Sequence, residues 1–352
     1  MATASEIPGW IRALQERPDG DRVRDLGNAP ACDLAAQGGA LALAALSLDA
    51  RWALVLGFSS EDRHTAVRAQ FWDLADDRPG PVLDDRIAAF TTSAALVPGT
   101  DLVAVPAHPT GVRLVDRGAD EAALLADDAL FQCVDVSGDG ALVAAGSGSG
   151  DLVLWDRAEA RQLACIRAHD HEICDLAWQP DGDRIATSSK DGTVRLWSAR
   201  ALLSATPRAP GHHENPLRRA PAATATLGTT PHRVLFSPDG TLCAVATEGG
   251  GACVIAASDG AVLTRVGGHR HERLVLAFHP NTGQLVTAGR DGQVQVWDPR
   301  TGARLAGFCY PRPPAGADNT LGITGLAFSA DGRTIALSHA SGVIRLWDLP
   351  PA

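Results

Sequence analysis

One phrase recurs along this chain at a roughly fixed interval. Residues 173–198 read I-C-D-L-A-W-Q-P-D-G-D-R-I-A-T-S-S-K-D-G-T-V-R-L-W-S, and close variants return at 273–298 and 323–348. Such a period marks a repeat architecture, which fixes the fold class before any local feature is weighed. Each copy holds three short alternating apolar runs. In the fourth copy they are Ile173–Trp178, Arg184–Thr187 and Thr193–Trp197, separated by Pro180-Asp181-Gly182 and Lys190-Asp191-Gly192. Runs of this length bounded by Asp-Gly read as strands joined by tight turns, because Gly supplies the positive φ such turns need. No helical period competes over these stretches.

Trp-Asp closes the third run at Trp72-Asp73, Trp155-Asp156, Trp297-Asp298 and Trp347-Asp348, with Trp197-Ser198 as a variant. Gly268-His269 precedes the first run of one copy, and Ala168-His169 is its counterpart in another. In register with the Asp-Gly turns, these dipeptides resemble the WD-repeat β-propeller family over roughly residues 38–352. First strands fall near Leu41, Ile87, Phe131, Ile173, Arg233, Arg273 and Ile323. The expected fold is therefore all-β, a seven-bladed WD-repeat β-propeller. Copies one, two and five are degenerate, and copy two ends in Val115-Asp116.

The resemblance implies a hydrogen-bonded tetrad of His, Ser or Thr, Asp and Trp inside a blade. His169, Thr187, Asp191 and Trp197 supply it in copy four, and His269, Thr287, Asp291 and Trp297 in copy six. Buried indole and imidazole N–H groups each need a partner, so these sets read as structural, not catalytic, despite their Thr–His–Asp composition.

Copy seven ends at Leu349-Pro350-Pro351-Ala352 with no chain left for a fourth strand. An open edge is a liability. The N-terminal arm, residues 1–37, is thus expected to complete the last blade from within Asp21–Cys32, around Val23–Leu26, and so close the ring. Residues 7–17 suit a short amphipathic helix with Trp10, Ile11 and Leu14 on one face, packed against the propeller rim.

The 31 basic against 41 acidic side chains leave a net charge of −10. That argues against nucleic-acid binding and against adhesion to anionic membranes. No apolar stretch is long enough to span a bilayer, and the first residues lack a signal-peptide pattern. The seven cysteines (Cys32, Cys133, Cys165, Cys174, Cys243, Cys253 and Cys309) include no Cys-x-x-Cys pair and read as small core residues of a reducing cytoplasm. Composition rich in Ala, Arg, Gly and Asp, with almost no Lys, suggests a GC-rich bacterial source.

Loops that depart from the repeat are where a rigid scaffold carries function. In this topology the outer-to-first-strand loops share one face, the top, with the second-to-third-strand turns. The long connection Ser59–Arg68 of copy one and the segment 310–319 before copy seven both belong there. Across the expected closure they gather Arg63, His64, Arg290, Tyr310 and Arg312 into one raised patch, and Tyr and Arg are frequent interface anchors. Family position adds Lys190 and Arg290 before the turn Asp, with His108 as a weaker match, and Glu172 and Glu272 at strand openings. Ala199–Ala222, with Arg208, His212, His213, Arg218 and Arg219, reads as a mobile loop on the bottom face.

His-x-His-Glu at His169–Glu172 and His269–Glu272 invites a metal reading, but its leading His residues belong to the tetrads and the two sites lie in non-adjacent blades. Gly146–Gly150 resembles a phosphate loop only in composition, without the following Lys-Ser/Thr. The sequence thus points to a scaffold with no cofactor and no metal, a monomeric ring within a complex that binds a protein or peptide through its top face. A regulatory or substrate-recruiting subunit of an enzyme assembly is the alternative. An enzyme with a channel site ranks below both, because first-strand starts hold mostly apolar residues where converging carboxylates would be needed.

Overall fold

The computed structural model describes residues 9–16, 22–25, 40–47, 49, 51–58, 67–76, 78–87, 93–107, 110–118, 121–204, 217–270, 274–310, 322–339 and 343–351. A helix α1 (Gly9–Glu16) and a strand β1 (Arg22–Asp25) open it. Blade one holds β2 (Ala40–Leu46), β3 (Trp52–Phe58), β4 (Val67–Asp73) and β5 (Arg78–Ile87), and blade two β6 (Ala95–Leu96), β7 (Leu102–Pro106), β8 (Val112–Asp116) and β9 (Glu121–Leu125). Blade three holds β10 (Phe131–Val136), β11 (Leu142–Ser147), β12 (Asp151–Asp156) and β13 (Arg161–Arg167). Blade four holds β14 (Ile173–Trp178), β15 (Arg184–Ser189) and β16 (Thr193–Ser198); after helix α2 (Ala199–Ser204) and strand β17 (Leu217–Arg218), β18 (Ala223–Thr226) completes it. Blade five holds β19 (Pro231–Phe236), β20 (Leu242–Thr247), β21 (Gly251–Ala256) and β22 (Val262–Gly267), and blade six β23 (Leu274–Phe278), β24 (Leu285–Gly289), β25 (Gln293–Trp297) and β26 (Arg304–Cys309). Blade seven holds β27 (Ile323–Phe328), β28 (Thr334–His339) and β29 (Val343–Asp348). Seven small, mostly antiparallel sheets make the fold a seven-bladed β-propeller. No helix among the described residues is long and apolar enough to cross a membrane.

The outer strand of blade seven comes from the other end of the chain. β1 pairs antiparallel with β29, Arg22 opposite Leu346 and Asp25 opposite Val343. This strand lies one residue ahead of the stretch Val23–Leu26. One first strand differs from expectation. Ile87 ends the ten-residue outer strand of blade one, and blade two starts at Ala95. The reason is the turn after Val97, whose N–H bonds the Leu102 carbonyl across Pro98-Gly99, with Gly99 at φ 72°. This turn occupies the place of Pro180-Asp181-Gly182 in copy four.

Two compact units group these elements by contact: residues 1–82, 246–254 and 263–352, and residues 83–245 and 255–262. In the first unit, α1 is docked, not free. Trp10, Ile11 and Leu14 are buried in one cluster with Val286, Val296, Trp347 and Leu349. The Trp10 indole donates to Gln284 Oε1 at 3.0 Å and meets the His279 ring at 4.5 Å and the Phe328 ring edge-on at 5.8 Å. Burial pushes His279 down to about 4, so the imidazole packs as a neutral ring. Blades seven and one approach closely: the Ser338 hydroxyl accepts from the Leu43 N–H at 3.0 Å, and a Cβ on Gly325 would come within 2.7 Å of Leu43. Only Gly fits there.

In the second unit, first strands are stitched blade to blade by side chains that bond the backbone. The Ser93 hydroxyl accepts from Val134 N–H at 3.3 Å, Asp135 Oδ2 from Trp178 N–H at 2.6 Å, and Asp175 Oδ2 from Val234 N–H at 3.0 Å. Burial drives Asp135 up to about 7 against those hydrogen bonds, and it raises Asp175 too, with Arg233 opposing. An Asp whose folded pKa is raised favours folding fully below its unfolded pKa, and that contribution is lost as pH rises through about 7. Asp135→Asn keeps the acceptor for Trp178 and discards the buried charge. Thermal melting should show it more stable than wild type at pH 8, with a smaller gain at pH 5, whereas Asp135→Ala melts lower at both. Removal of residues 2–32 takes away β1 and α1 together, and light scattering on heating should show earlier aggregation and a lower Tm than the full chain.

Candidate protein-interaction face

Consecutive antiparallel strands put the second-to-third turn and the outer-to-first loop of every blade on one side. In blade four that side is built upward from a buried chain of hydrogen bonds. Trp197 Nε1 donates to Thr187 Oγ1 at 2.9 Å, Thr187 Oγ1 lies 2.7 Å from His169 Nε2, and His169 Nδ1 lies 2.9 Å from Asp191 Oδ2. One proton arrangement satisfies all of them: indole N–H to Thr oxygen, Thr O–H to Nε2, and Nδ1–H to the carboxylate. It requires a neutral imidazole, and burial holds His169 below its ordinary pKa although Asp191 pulls the other way. Burial pushes Asp191 up, but hydrogen bonds from Thr193 and His169 outweigh it and leave the carboxyl low. Blade six repeats the geometry, with Trp297 to Thr287 at 3.0 Å, Thr287 to His269 at 2.9 Å and His269 to Asp291 at 3.1 Å.

These tetrads clamp the loops above them. Asp191 Oδ1 accepts from Thr193 N–H at 3.0 Å, and Arg195 donates to the Ala168 carbonyl at 2.6 Å. The Lys190 N–H bonds the Glu172 carbonyl at 3.1 Å, and the Ser189 hydroxyl bonds the His171 carbonyl at 3.1 Å. Blade six does likewise: Asp291 accepts from Arg270 N–H and Gln293 N–H. On this frame Lys190 Nζ meets Glu172 Oε2 at 2.7 Å, in an ion pair open to solvent. The two residues that family position singles out in blade four therefore hold each other. In the first unit, Arg290 is exposed on the corresponding turn, its backbone so close to Gly322 that a Cβ there would lie 2.2 Å from it.

Of the rest of the anticipated patch, Arg63, His64 and Arg312 lie outside the described residues, as do the further candidates His108 and Glu272. Tyr310 is buried, not presented: its ring stacks on His339 at 5.9 Å, meets Trp347 edge-on at 6.3 Å and carries the Arg345 guanidinium at 5.4 Å. The cause is local. Where blades four and six carry Thr187 and Thr287, blade seven carries Leu337, so Trp347 packs in apolar company that the Tyr310 ring completes.

The insertion Ala199–Ala222 is also more than a bottom loop. Its first residues form α2, where Ala199 and Leu202 are buried, and residues 205–216 lie outside the described set. Its later part adds β17 to the outer strand of blade three, and Arg218 contacts Asp170 at 3.0 Å in the loop that opens blade four. Sequence reasoning passed over Asp170, as it did the inter-blade carboxylates Asp135 and Asp175. For the latter a signal existed, since an Asp within an apolar first strand needs a partner to be buried. Among the described residues no cluster of three or more His, Cys, Asp or Glu side chains could hold a metal ion. No disulfide joins the described cysteines to one another, and those at 133, 243 and 253 are buried.

Comparison with known proteins accords with this geometry. The family model "WD domain, G-beta repeat" matches residues 127–156, 160–198, 260–298 and 316–348. The match over 160–198 runs from β13 of blade three into the three inner strands of blade four, so sequence repeat and structural blade are offset by one strand. The chain is 27% identical over 208 residues to pre-mRNA-processing factor 19 homolog 2 of Arabidopsis thaliana, covering 59% of this chain and 36% of that one. It is 25% identical over 214 residues to the retinoblastoma-binding protein 5 homolog of Drosophila melanogaster, covering 59% and 39%. It is 22% identical over 217 residues to COMPASS component SWD3 of Saccharomyces cerevisiae, covering 61% and 64%. The chain thus spans well under half the length of the first two and less than two thirds of the third.

Thr187→Val removes the hydroxyl that serves both Trp197 and His169. Loss of this buried group should lower unfolding free energy by about 2 kcal/mol in denaturant titration, with Thr187→Ser retaining most of it. Because His169 and Asp191 both sit below their unfolded pKa values, wild-type stability should fall as pH drops below about 6.5, and less so in Thr187→Val if the tetrad carries that dependence.

Proposed function

Because the chain belongs to the WD-repeat β-propeller family, we propose that it is a non-enzymatic scaffold that binds a protein or peptide partner through the side of the blades carrying the second-to-third-strand turns. The observation that carries this reading is the state of the Thr–His–Asp arrangement in blade four, which blade six repeats. Thr187 and His169 are buried, and every polar atom between Trp197 and Asp191 is already committed to a neighbour. Such a set positions loops; it does not attack substrates. Above it Glu172 and Lys190 stand on rigid backbone as an exposed polar pair, the character of a specific polar contact, and in the other unit Arg290 holds the corresponding turn of blade six. The alternation of sign favours an oriented partner over a bare anion. The same negative net charge supports a protein partner over nucleic acid or an anionic membrane.

A second reading, a recruiting or regulatory subunit of a larger enzyme assembly, is favoured by the similarity to a protein described as a COMPASS component. Buried thiols not joined to one another support a reducing compartment such as the cytoplasm, and the composition supports a GC-rich bacterial source, although the relatives named above are eukaryotic. Affinity capture from the native host with the wild type beside a Lys190→Glu/Arg290→Glu variant tests the reading. A defined protein captured by the wild type and depleted at least tenfold by the variant, with unchanged melting, is the expected result. Equal capture by both would overturn the assignment of these turns.

A further inference from the structure

Of the seven sheets, the described strands give a fifth member only to blade three. That member is β17, which runs parallel to the outer strand β13, Leu217 opposite Ile166 and Arg218 opposite Arg167. It belongs to the insertion between the third and fourth strands of the next blade, so the chain lays a piece of itself along a neighbour's open edge. We propose that this edge is a docking site for an extended, arginine-bearing segment of a partner protein, and that Leu217–Arg218 occupies it in cis as an internal mimic of that segment.

Three features make the edge a receptor and not a passive neighbour. The outer strand already accepts an added parallel strand along its edge, and pairing of that kind runs through the backbone without regard to side-chain sequence. At its end stands Asp170, exposed, whose Oδ1 accepts from both Nη1 and Nη2 of Arg218 at 3.0 Å. A guanidinium fork answers a carboxylate in a way that a lysine ammonium does not. Third, the receptor side is fixed in advance. Arg167 is tied to Asp151 at 2.8 Å and to the Ser149 carbonyl at 2.8 Å. The N–H groups of Ala168 and His169 both bond the Gly150 carbonyl, and His169 is locked in its tetrad. Asp170 therefore projects from backbone that has little freedom to adapt.

The occupant, in contrast, is weakly held. Among the described residues its ladder is two residues long, and its ion pair is exposed on both sides, 74% for Arg218 and 58% for Asp170, where water screens the attraction. A partner segment with a longer ladder and the same arginine would displace it, and tethering in cis sets the threshold that partner must exceed. The site rests on Asp170 and β13, so the Lys190 and Arg290 substitutions leave it intact.

The test is fluorescence anisotropy with a labelled peptide of this chain's own residues 215–221 (N-P-L-R-R-A-P) added to full-length protein. Arg218→Glu vacates the edge and places a carboxylate beside Asp170. It should bind the peptide at least tenfold more tightly than the wild type, with an unaltered melting curve. Adding Asp170→Asn to that variant should return binding to the wild-type level, and a peptide with Glu in place of the first arginine should not bind. Equal binding by wild type and Arg218→Glu, or binding indifferent to Asp170, would overturn the proposal. A wild-type chain that dimerises, and ceases to when Arg218 is changed, would overturn it in favour of a second copy as the occupant.

Discussion

A four-stranded blade of this size cannot bury both its faces alone, and its outer strand needs a neighbour on only one side. The antiparallel pairing of β1 with β29 is the contact on which the last blade depends, because β1 is the outer strand that completes its four-stranded sheet. The offset between repeat and blade follows from it. The family matches over 160–198 and 260–298 begin with the outer strand of the preceding blade, and the N-terminal β1 supplies the outer strand of the last. Helix α1 reinforces the arrangement, since Trp10 seats beside His279 and Phe328, residues of the sixth and seventh blades. Sequence ends far apart in number thus meet in one sheet, and the entropy of ordering the arm is offset by ladder bonds and by a fully buried indole.

Polar groups do two separate jobs within this frame. Inside blades four and six the Trp–Thr–His–Asp chain satisfies an indole and an imidazole and ties the loops to the sheet. Between blades of the second unit, Asp135 and Asp175 reach across to backbone N–H groups of the next first strand. Not every blade uses these devices. In blade three Ala145 stands where Thr187 stands in blade four, the Trp155 indole N–H has no hydrogen-bond partner among the described residues, and the ring packs edge-on against Phe131 at 5.3 Å. Blade seven makes a third solution, with Tyr310 and Leu337 around Trp347. Unsatisfied buried indoles carry a desolvation penalty, and among the described residues Trp72 of blade one and Trp155 of blade three find no hydrogen-bond partner.

Much of this was legible in the sequence because turn chemistry and apolar alternation recur. The first strands of blades three to seven and both tetrads sit where Asp-Gly turns and Trp-Asp ends put them. The second blade was misplaced because its turn is Pro98-Gly99, without the Asp-Gly found in blades three, four, five and seven, and because Ile87 ends an unusually long outer strand. Tyr310 was misread because an aromatic beside a proline-rich stretch resembles a surface anchor. Its burial follows from the loss of a threonine in another strand, a pairing that only the three-dimensional register reveals. The docking of Leu217–Arg218 on blade three was hidden for a similar reason: a two-residue ladder leaves no periodicity to detect.

The claim at the centre of this account is that the N-terminal strand is an integral member of the last blade. Native-state hydrogen exchange followed by mass spectrometry on the intact chain measures it directly. The amides of Arg22–Asp25 and of Val343–Leu346 should exchange together and as slowly as those of the inner strands of blade seven. Exchange of Arg22–Asp25 at the rate of an unstructured peptide, with Val343–Leu346 still protected, would contradict it.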